Sequence, residues 1–416
     1  MDGEAMLKPL GSLVENFDAR RVPLSRSERE KRPGNIPYYG PTGILDYIET
    51  ELFDGTFLLV AEDGSVERDD GTVFRQLVGG KFWANNHTHV LRAADKRDTI
   101  FLYYALGQVP IRPFISGSVQ DKLTQASLNR VLVPFPEPKT RYAIVELLRA
   151  LDDKIEFNRR MAETLRVLAG TLFKSWFVDF DPVCAKAKGC STGLSVVLAA
   201  LFPERFGQDG LPEGWELQQL SQIVVQDRAT VDPAILGETL VEHFSLPAFD
   251  AGQRPSIEPS NCIKSLKLSL SAPLVLFSKL NPETPRVWVV QDQAVRPMMG
   301  STEFLALRPS NAAVPLSFLE GLLASDPFRK KAMGMVTGTS KSHQRVQPAS
   351  LLRTEWPIPP ASILAAFAAV AEPVLARRLL LGRESATLAD LRDALLPKLI
   401  SGALSIADAE RTVAAA

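Results

Sequence analysis

The sequence predicts an α+β fold. Two modules of mixed strand and helix are separated by two long helices forming an antiparallel coiled-coil spacer, in a pseudo-twofold internal repeat. Three observations predict it. Ser127–Pro136 (SLNRVLVPFP) and Ser350–Pro359 (SLLRTEWPIP) match in pattern at a shift of 223 residues (127 to 350). At that same shift Leu165, Leu168 and Leu172 fall on Leu388, Leu391 and Leu395, and recurrence at a fixed offset is the mark of a duplicated architecture. Each matched segment is preceded by a strand-rich region and followed by a long helical pattern. At 416 residues the chain can bury two or more ordinary cores.

The first module spans 1–135. Its β-type runs include Thr56–Glu62 and His89–Ala93, and Asp54-Gly55, Asp63-Gly64 and Asp70-Gly71 read as turns. A spacer helix occupies 136–182 and a linker 183–211, the latter mixing small residues, Gly and Pro with one short helix. The second module spans 212–357, with β-type runs at Pro273–Leu280, Arg286–Val290 and Glu303–Pro309. A second spacer helix covers 358–406, where Pro373 should kink it or start a fresh segment, and 407–416 is a tail. Shortly before each matched segment lies a Ser/Thr/Gly turn carrying a glutamine. These are Ile115–Leu123 with Gln120 and Val336–Val346 with Gln344, and a one-residue gap aligns the two glutamines.

The first spacer helix has a seam. Ile144, Leu148, Leu151, Ile155, Asn158, Ala162, Leu165, Ala169, Leu172 and Trp176 keep an alternating four-three step. A sustained 3.5-residue period is the seam of a coiled coil rather than the broader face of a globular-domain helix. Asn158 interrupts it, either as a register-fixing buried amide or as a tolerated edge residue. About forty residues give a rod of roughly 60 Å. The second helix is less regular, and the shifted seam places Arg378 and Arg392 on it. Antiparallel pairing of the two helices within one chain would set the modules at opposite ends of a rod; the alternative is an intermolecular coiled coil.

Composition narrows the class. The chain is 45% hydrophobic and 23% charged with a formal net charge of −1, so any nucleic-acid contact must rest on locally concentrated cations or on a partner. Cys184, Cys190 and Cys262 suggest neither a disulfide framework nor a zinc site, and a reducing cytoplasm fits. The longest apolar run, Leu194–Phe202, is too short to cross a bilayer, and no basic-then-apolar leader opens the sequence. No Asn/Asp-Pro-Pro-Tyr/Phe loop, Gly-rich nucleotide turn or P-loop appears. Asp54, Glu62 and Asp63 read as turn residues rather than a metal-nuclease cluster, and His87 and His89 as strand packing rather than metal ligands. No catalytic residue, cofactor or metal is assigned to this chain.

With these features in place, a family resemblance emerges. Asn35–Ile48 (NIPYYGPTGILDYI), Leu58–Val66 (LLVAEDGSV) and Asn85–Arg92 (NNHTHVLR) resemble the first target-recognition domain of type I restriction-modification specificity (S) subunits. Ala150–Val183 resembles their central spacer helix, and Leu211–Glu216 (LPEGWE) the opening of a second recognition domain, with Leu274–Pro282 and Ser301–Pro309 inside it. One departure is Lys139-Thr140 before Arg141, where the family often has Glu-Gln. Another is that no Leu-Pro-x-Gly-Trp segment leads into the first module. The resemblance implies a non-catalytic, cytoplasmic subunit that reads an asymmetric, two-part site in double-stranded DNA. Two methyltransferase (M) subunits would methylate adenine, and restriction (R) subunits would cleave. S-adenosylmethionine, ATP and Mg would belong to those partners. The competing readings are a stand-alone DNA-binding regulator and a coiled-coil scaffold.

Candidate DNA contacts follow from donor chemistry: Lys and Arg suit phosphates and guanine, Asn and Gln suit adenine. In the first module they are Tyr38, Tyr39, Lys81, Asn85 and Asn86, then Gln120 and Lys122 in the Ser/Gly turn. In the second they are Lys279 and Asn281, then Thr337, Lys341, Ser342, His343, Gln344 and Arg345 in the loop around Gly338. That loop reads equally as a solvated turn, and the two glutamines as turn scaffolding. Leu172–Phe180 crowds aromatics at the end of the spacer. Lys174, Trp176 and Phe177 either pack against the adjacent module or dock a methyltransferase.

Overall fold

The structure, a computed structural model, describes residues 6–117, 120–291, 295–337 and 344–415. It divides into two compact units, 1–156 with 387–416, and 157–386. Four helices matter below: α1 (Lys96–Leu106), α2 (Pro138–Phe177), α3 (Leu316–Ala324) and α4 (Ala361–Ile400). α2 and α4 are each 40 residues long, and each contributes one part to each unit.

In the first unit the frame consists of β1 (Leu7–Pro9), β2 (Glu15–Asn16), β3 (Phe57–Ala61), β4 (Arg75–Val78), β5 (Thr88–Arg92) and β6 (Leu132–Pro134). An antiparallel sheet runs β2-β5-β3-β4, and β1 pairs antiparallel with β6. Every residue of β3 is buried, as a central strand covered on both faces requires. Period-two alternation sends Leu58 and Val60 toward Leu91, Leu102 and Leu106, and Phe57 and Leu59 toward Phe17, Phe53 and Phe82. A second sheet, ordered 43–48, 33–40, 81–84, 53–54, completes the module. Asp95 caps α1 by accepting from the Arg97 amide. One face of α1 lies on the sheet, and Phe101, Tyr104 and Ala105 share a core with Ile144, Leu148 and Leu151 of α2 and Leu395, Leu396 and Leu399 of α4.

The second unit repeats this frame. It has β7 (Glu216–Gln219), β8 (Val224–Asp227), β9 (Leu274–Ser278), β10 (Val287–Val290), β11 (Phe304–Pro309), the hairpin β12 (Val336–Thr337) and β13 (Arg345–Val346), and β14 (Glu355–Ile358). The sheet order is β8-β11-β9-β10, antiparallel throughout, and β7 pairs with β14. Leu7 opposite Pro134 is matched by Leu217 opposite Pro357. The first module therefore has its leading strand without a Leu-Pro-x-Gly-Trp segment. Val275 and Phe277 face α3 and the helix pair, whereas Leu274 and Leu276 face Trp288 and Phe304. The accessory sheet has five strands rather than four.

Here the helix pair is held by aromatic packing. Phe173, Trp176 and Phe177 surround Phe367, with ring centroids 6.1, 5.9 and 4.9 Å away. With Glu163 near Arg378, the partners run antiparallel. Gly321 lets α3 approach, since a Cβ there would come within 2.4 Å of the Phe173 ring. The α2 seam is the helix's protected stripe, and Asn158 on it is fully buried, with no hydrogen-bond partner for its amide among the described residues. Asn158 is no edge residue.

Of the two outcomes expected at Pro373 the fresh segment is not found: α4 runs unbroken through it, with Ala371 and Leu375 on either side buried in the core, so packing outweighs the lost hydrogen bond. Two further expectations are corrected. The linker holds two short helices, Asp181–Ala187 and Val196–Ala199. The expected tail is largely helical: Ile406–Ala414 is capped by Ser405 and buries Ala409 in the core with α1, α2 and α4.

Candidate nucleic-acid interface

Beyond the end of β3 the chain continues as Glu62–Gly64, and the Ser116–Lys122 turn returns beside it. The Leu123 amide donates to the Glu62 carbonyl at 2.7 Å, and the Gly64 amide to the Asp121 carbonyl at 3.2 Å. In the second unit the Val346 amide donates to Lys279 O at 3.0 Å, and the Asn281 amide to Gln344 O at 3.0 Å. These are the same two bonds. Both ribbons turn at a left-handed residue, Gly64 at φ +77° and Asn281 at φ +49°, a conformation glycine and asparagine tolerate best. Leu123 and Val346 are again 223 apart (123 to 346). Lys122 therefore corresponds to Arg345, and Asp121 to Gln344. The two glutamines are not equivalent, and the gap that aligned them is unnecessary.

The electrostatics of the two ribbons differ. In the first, Lys122 Nζ lies 3.8 Å from Glu62, which also binds Arg21 at 2.7 Å. His87 Nδ1 lies 2.7 Å from Asp63. Beneath the ribbon His89 is 1% exposed, with Nδ1 2.5 Å from Asp18 and Nε2 2.8 Å from the Leu123 carbonyl. Burial pushes the Asp18 carboxyl up, but the His89 bond and charge, Asn16 and the Val90 amide more than offset it, leaving it below its ordinary value. Asp18, Glu62 and His89 stand close enough to hold a cation. The guanidinium of Arg21, 2.7 Å from Glu62 and 3.6 Å from Asp18, already bridges the two carboxylates.

In the second ribbon Arg345 grips Glu303 with Nε and Nη2, the contacts lying between 2.8 and 3.3 Å. Those bonds hold the Glu303 carboxyl below its usual range. The Lys279 amide donates to the Glu303 carbonyl at 2.9 Å. The Asn281 side-chain oxygen is buried without a hydrogen-bond partner among the described residues.

The remaining candidates divide by exposure. Tyr38 is 1% exposed, its hydroxyl 3.1 Å from the Leu24 amide. It is a core residue and cannot reach a ligand from there. Asn85 is buried and accepts from His87 N and Thr88 Oγ1, shaping the turn that leaves Asn86 exposed. Tyr39 is half-buried, its ring edge-on to Phe82. Lys81 pairs with Glu51 at 2.7 Å, and Thr337 donates to the Arg345 carbonyl at 3.2 Å. Gln120 is exposed. Lys341, Ser342 and His343 lie outside the described residues. At the end of α2, Lys174 pairs with Asp179 on the surface, whereas Trp176 and Phe177 are 2% and 5% exposed. Their burial corresponds to the packing reading, and of these three residues Lys174 alone is exposed.

Residue chemistry alone gives Arg21, Asp18 and Glu303 no place in the interface and reads Glu62 as a turn residue, because a phosphate-facing surface calls for cations and amides rather than acids. The 223-residue offset pairs Lys122 with Arg345 (122 to 345) but carries no signal for their carboxylate partners.

Comparisons with known proteins bear on this geometry. The family described as type I restriction modification DNA specificity domain matches residues 4–166. The HindI specificity subunit of Haemophilus influenzae is 42% identical over 101 residues, 24% of this chain and 22% of that one. A second type I restriction enzyme specificity subunit assigned in that organism is 39% identical over 148 residues, 36% of this chain and 37% of that one. These matches thus span well under two thirds of either relative. The MjaIX specificity subunit of Methanocaldococcus jannaschii is 23% identical over 319 residues, 74% of this chain and 69% of that one. The crystal structure of a type I restriction-modification system S subunit from M. genitalium superposes with a TM-score of 0.62 over 95% of each chain at 15% identity. That likeness shows a shared fold.

Proposed function

We propose that this chain, which belongs to the family of type I restriction-modification specificity subunits, is the DNA-reading subunit of such a complex. One observation carries the reading. Two modules share a frame down to matched backbone hydrogen bonds, yet place different side chains on the ribbon each frame presents. Shared frames with unlike ribbons suit two half-sites of different sequence, and hence an asymmetric target.

On this reading α2, about 60 Å long, and α4 form the spacer that sets the unread gap between the half-sites. The two methyltransferase subunits bring S-adenosylmethionine and the base pocket, and the restriction subunits bring ATP-driven cleavage. This chain supplies the choice of sequence and no chemistry. Phosphate contacts position such a reader, and base-edge contacts specify.

The test is the adenine methylome of the host with and without this gene. Loss of marks at one split, asymmetric motif is expected. An unchanged methylome overturns the reading. A chain that binds one DNA site at full affinity without methyltransferase favours a stand-alone regulator instead.

A further inference from the structure

Two unlike readers need different base contacts, but both must hold the same phosphate backbone. A residue type that recurs at one structural position in both modules is therefore a candidate for the shared task. The ribbons provide one such position. Lys122 and Arg345 each precede the residue whose amide closes the ribbon, Leu123 onto Glu62 and Val346 onto Lys279. Around them the sequences diverge: Glu62 faces the place of Lys279, Asp63 that of Leu280, Asp121 that of Gln344. The cation persists while its neighbours lose their negative charge (Asp63 to Leu280, Asp121 to Gln344) or reverse it (Glu62 to Lys279).

Both cations also lie beside a carboxylate, Arg345 hydrogen-bonded to Glu303 and Lys122 at ion-pair distance from Glu62. The Lys122 side chain is 51% exposed with its ammonium 3.8 Å from Glu62, and that of Arg345 is 45% exposed on Glu303. Side chains this exposed can leave their carboxylate and swing outward. The carboxylates come from different strands, Glu62 just after β3 and Glu303 just before β11. The parking partner has thus been supplied twice, by different routes.

We infer that Lys122 and Arg345 are equivalent phosphate clamps, each parked on a carboxylate (Glu62 or Glu303) until DNA displaces it. The inference rests on the proposed function and assigns these two residues to the phosphate backbone rather than to base edges. The modules then differ in what is left behind. When Lys122 departs, Glu62 keeps Arg21. When Arg345 departs, Glu303 keeps no other ion pair among the described residues, and Lys279 acts on it only through its field. The second clamp should therefore open against the larger electrostatic resistance.

The experiment uses the purified complex with its methyltransferase subunits. Binding is measured to the intact two-part duplex and to duplexes with single base-pair changes in either half, between 50 and 200 mM salt. For R345Q, affinity should fall by the same factor, about five- to tenfold, on every duplex. The slope of log K against log salt should become shallower by about 1, and the methylated motif should not change. K122Q should behave alike, and R345K should restore most of the loss. E303Q should raise affinity on all duplexes, most at low salt. A loss confined to one base pair, or an altered motif, would make Arg345 a base reader and overturn the inference. So would an unchanged slope. If the unmodified complex itself shows no sequence preference, the parent reading fails instead, and the two failures are told apart by that control.

Discussion

Beneath their matched ribbons the two modules solve one structural problem with opposite chemistry. At the position of β5 opposite Val60 the first module has His89, bonded to Asp18 and to the Leu123 carbonyl. At the corresponding position of β11, opposite Phe277, the second has Leu305, packed in the apolar core with Val346. The helix pair shows a similar contrast. Asp152 of α2 accepts from Tyr104 of α1 at 2.5 Å and from Arg392 of α4 at 2.6 Å, whereas Phe367 is ringed by Phe173, Trp176 and Phe177. Backbone topology is what the repeat preserves, and the means of holding it has drifted. An apolar contact tolerates exchange for another of similar volume. A buried charged network does not, because removing one member strands the others.

The largest effect expected from breaking the comparison is on the target itself. On the proposed reading, replacing residues 1–135 with the recognition module of a type I specificity subunit should change one half of the methylated motif completely and leave the other intact. Methylome sequencing reads this directly. If both halves change, or neither does, the modules are not independent readers and the contrast between them loses its functional meaning.

Converting the first module's solution into the second's sharpens the contrast. H89L leaves the Asp18 carboxylate, 10% exposed, without its main partner. The cost should be about 3 kcal/mol, at the low end for a broken buried pair, because Asn16, the Val90 amide and Arg21 remain. Hydrogen exchange should show lost protection at the Val90 and Leu123 amides while those of the second unit hold. Adding D18N should recover at least half the loss, since an amide needs no counter-charge. A single variant as stable as the parent would mean that the two solutions are interchangeable.

How much of this was legible in the sequence follows the same divide. The strands β3, β9, β10 and β11 announced themselves because continuous apolar runs suit strands buried on both faces, whereas β5 offered only the short Val90-Leu91 pair between polar residues. The α2 seam was legible because a 3.5-residue period is a long-range regularity that single substitutions do not erase. The duplication was legible only in its C-terminal part. There the offset is constant at 223, but Gly64 to Asn281 is 217 and Leu7 to Leu217 is 210, so insertions hide the frame from a single shift. The ion pairs were not legible. Arg21 and Glu62, or Glu303 and Arg345, are brought together by pairing between distant segments, and local composition carries no trace of them. Tyr38 was misplaced for a related reason: aromatic chemistry looks alike in a core and on a surface, and only the fold decides between them.

The smallest effect expected concerns the Tyr104 joint, and pH separates it from a packing change. Burial and the hydrogen bond to Asp152 raise the pKa of the Tyr104 phenol above its ordinary value. A raised folded-state pKa contributes stability that is fully present below the unfolded value near 10 and is lost as pH rises past it. Y104F should cost about 1 kcal/mol at pH 8, a typical net value for one hydrogen bond, since Asp152 keeps Arg392. At pH 11 the parent should have surrendered about 1.4 kcal/mol through ionisation of the unfolded tyrosine, a penalty the phenylalanine variant escapes. The stability difference between the two proteins should therefore shrink to about zero between pH 8 and 11. The second unit's counterpart joint, Arg378 with Glu320, has no phenol and should show no such convergence when E320Q is compared in the same way. A difference that stays constant with pH would place Tyr104 among the packing residues, and the polar and apolar joints would then be held by the same force.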